Sequence, residues 1–256
     1  MSWARQIHLK SPAELQIMRE AGRINASVLA AVKKCIEPGV STADLNAAAE
    51  EMLKKHGCVS PFKGYGHPPF PTSITASINR ELVHGIPSKK RKLKAGDIVS
   101  IDCGTVMDGW VADSAFTAGV GELSPKAQEL LDVTEGALNE AIQMMCVGNR
   151  TGDVSAAIQH YVESRGYYVT REYTGHGVGR QMHEGPQVPN YGKPGTGMPL
   201  KAGMTIAIEP MVLAGTAETR VLPDQWTVVS ADGSLTAHFE HSVAVTEGEP
   251  LLLTVL

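Results

Sequence analysis

The sequence is poor in the features that mark membrane, secreted and nucleic-acid-binding proteins. Its 256 residues contain no apolar run long enough to span a bilayer, and residues Met1 to Arg5 lack the apolar stretch of a signal peptide. The formal net charge is only −4, whereas a dedicated nucleic-acid binder normally carries a strong basic excess. We therefore expect a cytoplasmic protein that has no direct nucleic-acid or membrane partner.

Cysteine is also scarce, because the chain has only four such residues. They are scattered, and they form neither a Cys-x-x-Cys pair nor a spaced framework. This pattern favours reduced thiols over disulfides. The basic cluster from Lys89 to Lys94 is interpreted as a solvated loop before a strand rather than as a phosphate-binding patch.

Two stretches of the sequence are nearly alike, and both end in a carboxylate. Residues Lys94–Asp102 and Lys201–Glu209 each begin with a Lys-Ala-Gly turn and continue as an apolar, β-branched run. Such runs predict strands. Burial of an unpaired carboxylate is costly, so the two acids are expected to face a shared positive charge such as a metal ion.

The resemblance between the two stretches extends to the segments before them. Ser11-Pro12 and Ser124-Pro125 each predict a helix start, because serine caps helices and proline favours the first helical position. A second helix follows in each half, and its turn and cap residues recur at one constant offset: Gly39/Gly148, Thr42/Thr151, Asp44/Asp153 and Gly57/Gly166. The sequence therefore predicts one α+β domain over 1–256, built from related halves at about 11–123 and 124–250.

The first of these strands is expected to form a hairpin that carries two acids. Asp108-Gly109 favours a two-residue turn, which places Asp102 opposite Ala115. Asp113 then becomes a diagonal neighbour of Asp102 on the same face. Alone, Asp113 could simply cap or solvate a strand, but its proximity to Asp102 favours metal binding.

Three further candidate groups lie in the second half. A glycine-rich segment, Gly175–Pro186, contains His176 and His183, and Glu240 lies in an alternating, strand-like run. A single histidine is more often an ordinary hydrogen-bonded residue, and a single acid is more often a surface charge. The segment lacks the pattern of a phosphate loop, and the chain has no Gly-x-Ser-x-Gly elbow of a serine hydrolase.

Four carboxylates and one imidazole would make an oxygen-rich ligand set. It suits Mn, Fe(II), Co or Zn better than it suits a metal selected by thiolates. It also suits two ions that share bridging carboxylates, as in hydrolases that activate water between two metals.

In the order of these residues and in the segments around them, the chain resembles the type I methionine aminopeptidases of peptidase family M24, in their short bacterial form. The resemblance covers nearly the whole chain. It is carried by Ser77-Ile78-Asn79 through His84-Gly85-Ile86-Pro87, Ile101-Asp102, Gly175-His176-Gly177-Val178-Gly179, His183-Glu184, Ile208-Glu209-Pro210-Met211 and Glu240-His241-Ser242. It implies the pseudo-symmetric pita-bread fold, with antiparallel strands inside and helices outside.

The resemblance also implies a ligand arrangement for two divalent ions (Co, Mn, Fe(II) or Zn). Asp102 and Asp113 hold one ion, and His176 and Glu209 hold the other. Asp113 and Glu240 bridge the two. The implied reaction is removal of the initiator methionine from nascent proteins whose second residue is small, by a hydroxide formed from water shared between the metals.

Roles for other residues follow from the same resemblance. Glu209 would carry the proton to the leaving amine, His183 would stabilise the oxyanion, and His84 would contact the backbone of the second residue. The pocket for the methionine side chain would contain Phe70, Thr75, Met182 and Trp226, with Tyr65 and His67 nearby. Ordinary core packing is the alternative for each of these six residues.

The sequence departs from the family pattern at two positions in this pocket. Thr75 stands where many relatives carry a cysteine, and His67 stands where an aromatic residue is common. The implied partners are nascent polypeptide N-termini, at the ribosome or away from it, and a monomer is expected. Two alternatives stay open: a proline-directed aminopeptidase on the same fold, and an inactive relative used for binding.

Overall fold

Long helices begin at the capping residues that the sequence predicts, in a computed structural model that describes residues 7–256. The Ser11 side chain accepts a hydrogen bond from the Glu14 backbone, and Ser124 accepts one from Ala127 in the same way. A proline follows each serine at the start of its helix. Residues 1–6, on which the argument against a signal peptide depends, lie outside the described residues.

The described chain contains helices and strands in an α+β arrangement. The helices are α1 (Pro12–Lys34), α2 (Thr42–Lys55), α3 (Pro125–Gln143) and α4 (Thr151–Glu163). The strands are β1 (Thr75–Ile78), β2 (Glu81–Val83), β3 (Ile98–Met107), β4 (Trp110–Gly119), β5 (Tyr168–Val169), β6 (Thr174–Gly177), β7 (Glu184–Pro189), β8 (Thr205–Ile208), β9 (Met211–Leu213), β10 (Thr219–Val221), β11 (Val228–Ser230), β12 (Thr236–His238), β13 (Glu240–Ala244) and β14 (Leu251–Leu252).

The helices cover one side of a large antiparallel sheet. That sheet has eight strands in the order β1-β3-β4-β13-β8-β6-β7, and β14 pairs with β13. Helices α1 and α2 pack on β1 and β3 through residues such as Val28 and Ile101. Helix α3 packs on β8 and β13 through residues such as Leu130 and Ile206, and α4 packs on β5 and β7. Helices outside and antiparallel strands inside confirm the predicted α+β, pita-bread fold.

The two halves repeat each other at the level of single backbone hydrogen bonds. The N–H of Thr42, the first residue of α2, donates to the carbonyl of Arg91 at 2.9 Å. Its counterpart Thr151, the first residue of α4, donates to Met198 at the same distance. These bonds fix each second helix against the turn before the central strands. The exact division at 123/124 and the single-domain organisation stay predictions.

The state of the cysteines and the character of the helices can be compared with the expectations from composition. All four cysteines, Cys35, Cys58, Cys103 and Cys146, are free thiols. Within residues 7–256, no helix is both long enough and apolar enough to cross a membrane.

Candidate metal centre

The β3–β4 hairpin places two aspartates on one face of the sheet, as predicted. Asp108 and Gly109 form the two-residue turn with φ angles of 49° and 74°. Asp102 lies opposite Ala115, and Asp113 lies two residues before Ala115 on the same face. The predicted turn and register are both confirmed.

Neighbouring strands extend this face on both sides of the hairpin. Thr75 of β1 pairs with Asp102, and Glu240 of β13 pairs with Ala115. These four residues therefore form one row across four strands. Ala115 has a small side chain, so the carboxylates of Asp102 and Glu240 on either side of it are not kept apart by a bulky group.

A second row runs beside the first. The N–H of Asp113 donates to Ser242 Oγ at 3.0 Å, and Ser242 Oγ donates back to the Asp113 carbonyl at 2.8 Å. Ser242 pairs with Ala207, which in turn pairs with His176 of β6. Backbone pairing thus brings an imidazole from a distant glycine-rich segment next to the aspartates of the hairpin.

The candidate ligand atoms lie close together. One ligand atom each from Asp113, His176 and Glu240 lies within 4.8 Å of the other two. Glu209 Oε1 lies 3.5 Å from His176 Nε2, although Glu209 and Asp102 are not members of that three-residue group. All five predicted ligands line the same cavity.

The carboxylates are buried without enough hydrogen-bond partners. Asp102 Oδ1, Asp113 Oδ1 and Glu240 Oε1 have none within residues 7–256. Burial raises the pKa of Asp113 to about 7, and burial with neighbouring negative charges raises the pKa of Asp102, Glu209 and Glu240 well above the ordinary range. Unpartnered buried oxygens that repel one another are what a divalent cation would satisfy, so the residues present fit a metal site.

His176 is oriented to act as a ligand in this cluster. Its Nδ1 lies 2.9 Å from the carbonyl of Gly177, which accepts the ring proton and leaves the Nε2 lone pair facing the carboxylates. Burial lowers the pKa of His176 to about 3, so the ring is neutral at physiological pH. A neutral imidazole with a fixed tautomer is the form that binds metals.

The two predicted non-ligand histidines flank the cluster. His183 Nδ1 lies 2.7 Å from the Tyr65 hydroxyl, and the His183 and His176 rings are 4.3 Å apart between centroids. His84 has a φ of 61° and contacts the Tyr173 ring edge to face. Burial lowers the pKa of both His84 and His183 to about 4.

A cavity of about 170 Å³ opens above the carboxylates. Its wall contains five of the six residues that the resemblance places in the side-chain pocket: Tyr65, Phe70, Thr75, Met182 and Trp226. The sixth, His67, has an exposed side chain and is absent from the cavity wall. Its role in the pocket stays a prediction that this geometry does not support. Phe62 and Tyr173 line the cavity without having been named from the sequence.

The sequence analysis also missed His238, which lines the cavity beside the carboxylates. Its side chain is buried, and its Nε2 lies 3.9 Å from Glu209 Oε2 and 3.7 Å from Glu240 Oε2. A signal for it was present. In the alternating run Thr236–Glu240, His238 shares the face of Glu240, because side chains two residues apart in a strand point the same way.

Comparison with known proteins relates this geometry to a family. The model of metallopeptidase family M24 matches residues 16–247. A methionine aminopeptidase of Clostridium acetobutylicum is 48% identical over 97% of this chain and 99% of its own length. The crystal structure of a methionine aminopeptidase from Thermotoga maritima superposes with a TM-score of 0.96 at 46% identity, covering 98% of this chain and all of the other.

A more distant structure shares the fold alone. The prolidase from Pyrococcus horikoshii superposes with a TM-score of 0.76 at 22% identity, and the match covers 96% of this chain but 63% of the prolidase. The family match extends over most of the chain, and the full-length relatives share nearly half of its residues. The chain belongs to metallopeptidase family M24.

Proposed function

We propose that this protein removes the N-terminal methionine from polypeptides whose second residue is small, by hydrolysis that depends on two divalent metal ions. The observation that carries the proposal is a cluster of buried carboxylates and one imidazole at the base of an aromatic-lined cavity. The similarity to proteins named methionine aminopeptidases supports the choice of methionine. Nascent chains in the cytoplasm, some of them at the ribosome, are the proposed substrates of a monomeric enzyme.

Charge supports the number of ions. Asp102, Asp113, Glu209 and Glu240 together carry four negative charges when they are ionised, and His176 is neutral. Two divalent cations balance these charges, whereas a single ion would leave two buried charges uncompensated. Asp113 and Glu240 belong to the three-residue group whose ligand atoms lie within 4.8 Å of one another, which suits them to bridge the ions. The oxygen-rich set accepts Mn, Fe(II), Co or Zn.

When bound, the two ions would supply a water of lowered pKa and a Lewis acid for the scissile carbonyl. Glu209 accepts the proton that the attacking water releases and delivers it to the leaving nitrogen. Its partly exposed position at the edge of the cluster leaves room for this movement.

His183 is suited to stabilise the negative charge that develops on the carbonyl oxygen. When the Tyr65 hydroxyl donates to Nδ1, the ring proton is on Nε2, the nitrogen that would donate to the oxyanion. The low pKa of His183 keeps the ring neutral, so it acts as a hydrogen-bond donor rather than as a cation. His84 faces the cavity from the other side, where it would contact the backbone of the second substrate residue.

The cavity wall supports recognition of a methionine side chain. The Phe70 and Trp226 rings meet edge to face at 5.2 Å, and the Trp226 indole donates to the Pro68 carbonyl at 3.0 Å. This bond fixes the indole as a rigid wall. Thioethers make favourable contacts with aromatic ring edges, so a pocket of this kind suits methionine.

The test is release of methionine from Met-Ala-Ser peptides by purified protein. We expect a chelator to abolish release, and Mn, Fe(II) or Co to restore it. The alternative of a proline-directed peptidase would be favoured by cleavage of Ala-Pro peptides without methionine release. The alternative of an inactive binding relative would be favoured by tight peptide binding without cleavage by any of these metal-loaded forms, but the five predicted ligand positions all hold competent ligands.

A further inference from the structure

A buried polar residue beside the carboxylates has no role in the proposed reaction. His238 ends β12, its side chain lines the cavity, and the residue is only 2% exposed. Its Nε2 has no hydrogen-bond partner among residues 7–256. A buried imidazole nitrogen in this situation costs free energy, so its retention needs an explanation.

The internal repeat gives His238 the position that Asp113 has in the other half. The Gly96 N–H donates to Val120, and the equivalent Gly203 N–H donates to Val245. Asp113 lies seven residues before Val120, and His238 lies seven residues before Val245.

Strand register gives the same equivalence. In β3–β4, Gly104 pairs with Asp113, and in β9–β12, Met211 pairs with His238. The β9–β12 pair continues the register of β8–β13, in which Ile208 pairs with His241. A place that holds a proposed ligand in one half therefore holds an imidazole in the other half, directed at the same cluster.

The distances define what His238 contributes. Its Nε2 lies between Glu209 Oε2, at 3.9 Å, and Glu240 Oε2, at 3.7 Å. Both are too long for a direct hydrogen bond, but they are short enough for attraction between the N–H dipole and the carboxylates in a buried site, or for a bond through one water. A carboxylate here would add a fifth negative charge, which two divalent ions could not balance. A neutral imidazole adds a donor and no charge.

We propose that His238 is a positioning residue whose Nε2–H is directed at Glu209 and Glu240 and holds their carboxylates in the orientation that binds metal. The role rests on the proposed metal site. It predicts that the N–H donor matters and that the imidazole as such does not, because His238 does not itself ligate.

Two variants separate the donor from the ring. His238→Gln keeps an N–H of similar reach, and His238→Leu removes it. In titration calorimetry of the metal-free protein with Mn(II), we expect His238→Leu to weaken binding by about 10- to 100-fold and His238→Gln to weaken it by less than about threefold. The matched control is His241→Leu, which removes an imidazole bonded to Thr254 at 2.8 Å. His241 lies on β13, on the strand face opposite to that of Glu240. It should leave Mn(II) affinity unchanged.

The absorption spectrum of the Co(II)-loaded protein reports the ligands directly. We expect the same visible bands in the unmutated protein and in His238→Gln. Mn(II) affinity of His238→Leu equal to that of the unmutated protein would overturn the proposal. Equal weakening in both variants with altered Co(II) bands would also overturn it, because His238 would then be a ligand.

Failure of the unmutated protein to bind divalent ions would overturn the metal site itself, and this role with it. Thermal unfolding followed by circular dichroism checks that each variant is folded. If His238→Leu does not fold, His238→Phe retains a ring of similar size without the donor and serves the same comparison.

Discussion

The strand pairs β3–β4 and β9–β12 have equivalent registers, but the connections between their strands differ in length. β3 and β4 are joined by the two-residue turn at Asp108-Gly109, whereas β9 and β12 are separated by residues 214–235. The long connection forms β10 and β11, and β11 pairs with β2 of the first half, where Val228 lies opposite Val83. The two-residue turn between β3 and β4 is too short to form additional strands of this kind.

Because of this difference, the two halves contribute differently to the cavity. Both halves direct carboxylates into the cluster, from β3–β4 in the first and from the end of the β8–β13 pair, which β9–β12 continues, in the second. Only the second half sends a loop over the cluster. That loop carries Trp226, which contacts Phe70 and His84 of the first half. The repeated strands thus supply proposed metal ligands in both halves, whereas only the long connection of the second half adds Trp226 to the cavity wall. The comparison can be tested at four points, in order of decreasing effect.

The largest effect is expected where the halves are equivalent. Asp113→Ala in the first half and Glu240→Ala in the second should each lower kcat/KM for a Met-Ala-Ser peptide by more than about 100-fold. This loss exceeds the roughly 10- to 100-fold loss typical when a residue that only hydrogen-bonds to a metal ligand is removed. Each variant removes a carboxylate that we propose bridges the ions, so the three remaining negative charges no longer balance two divalent ions. Asp132→Asn, on the exposed face of α3, is the control and should retain full activity. A large loss from one bridging variant alone would break the equivalence of the halves.

The next effect concerns a group that the second half alone supplies. His183→Ala should lower kcat by about 100-fold with little change in KM, as expected for a donor used mainly in the transition state. Tyr65→Phe, which removes only the hydroxyl that orients the ring, should cause a smaller loss in kcat. Steady-state kinetics of both variants measure the two losses. A greater loss in Tyr65→Phe than in His183→Ala would refute this order.

A third test removes the wall carried by the long connection. Trp226→Leu should lower kcat/KM for Met-Ala-Ser by about tenfold, because part of the apolar contact with the substrate side chain is lost. Mn(II) affinity should not change, since Trp226 is not adjacent to the ligand oxygens. The measurement pairs kinetics with calorimetry. Weakened Mn(II) binding would show that Trp226 contributes to the metal site as well as to the cavity wall.

The smallest effect is on stability, and both halves contribute to it. Burial raises the pKa of Asp113 to about 7, from about 4 in the unfolded chain. A raised carboxyl pKa favours the folded metal-free protein below pH 4, and that advantage is lost as the pH rises toward 7. Mn(II) should therefore raise the melting temperature by about 5 °C or more at pH 7.5, and by less at pH 5. Scanning calorimetry at both values checks this, and an equal rise at both would contradict it.

Much of the cluster could be predicted because its signals are local. Asp108-Gly109 specifies a turn, and the turn fixes the register that brings Asp102 and Asp113 together. Serine caps fixed the helix starts in the same way. The position of Glu209 and Glu240 near these aspartates depends on pairing between distant strands. The Lys201–Glu209 run indicated that Glu209 shares a positive charge with Asp102, whereas the family resemblance was needed to place Glu240 with them.

The cavity wall was harder to predict because long-range pairing builds it. The position of Trp226 depends on the contact between β11 and β2, which no turn or periodic pattern encodes. His67 lies in an irregular loop, and the loop turns its side chain to solvent. His238 was overlooked for another reason. The alternating pattern of its strand was recognised, but only Glu240 in that strand was considered as a site residue.

Thr75 has a consequence for the chemical reactivity of the site. The residues that line the cavity include no cysteine, and the thiol of Cys103 is fully buried beside Asp102 with its pKa raised by burial. Alkylating agents and mild oxidants act on accessible thiolates. This cavity should therefore resist covalent thiol-directed inhibitors, to which relatives with a cysteine at this position would be open.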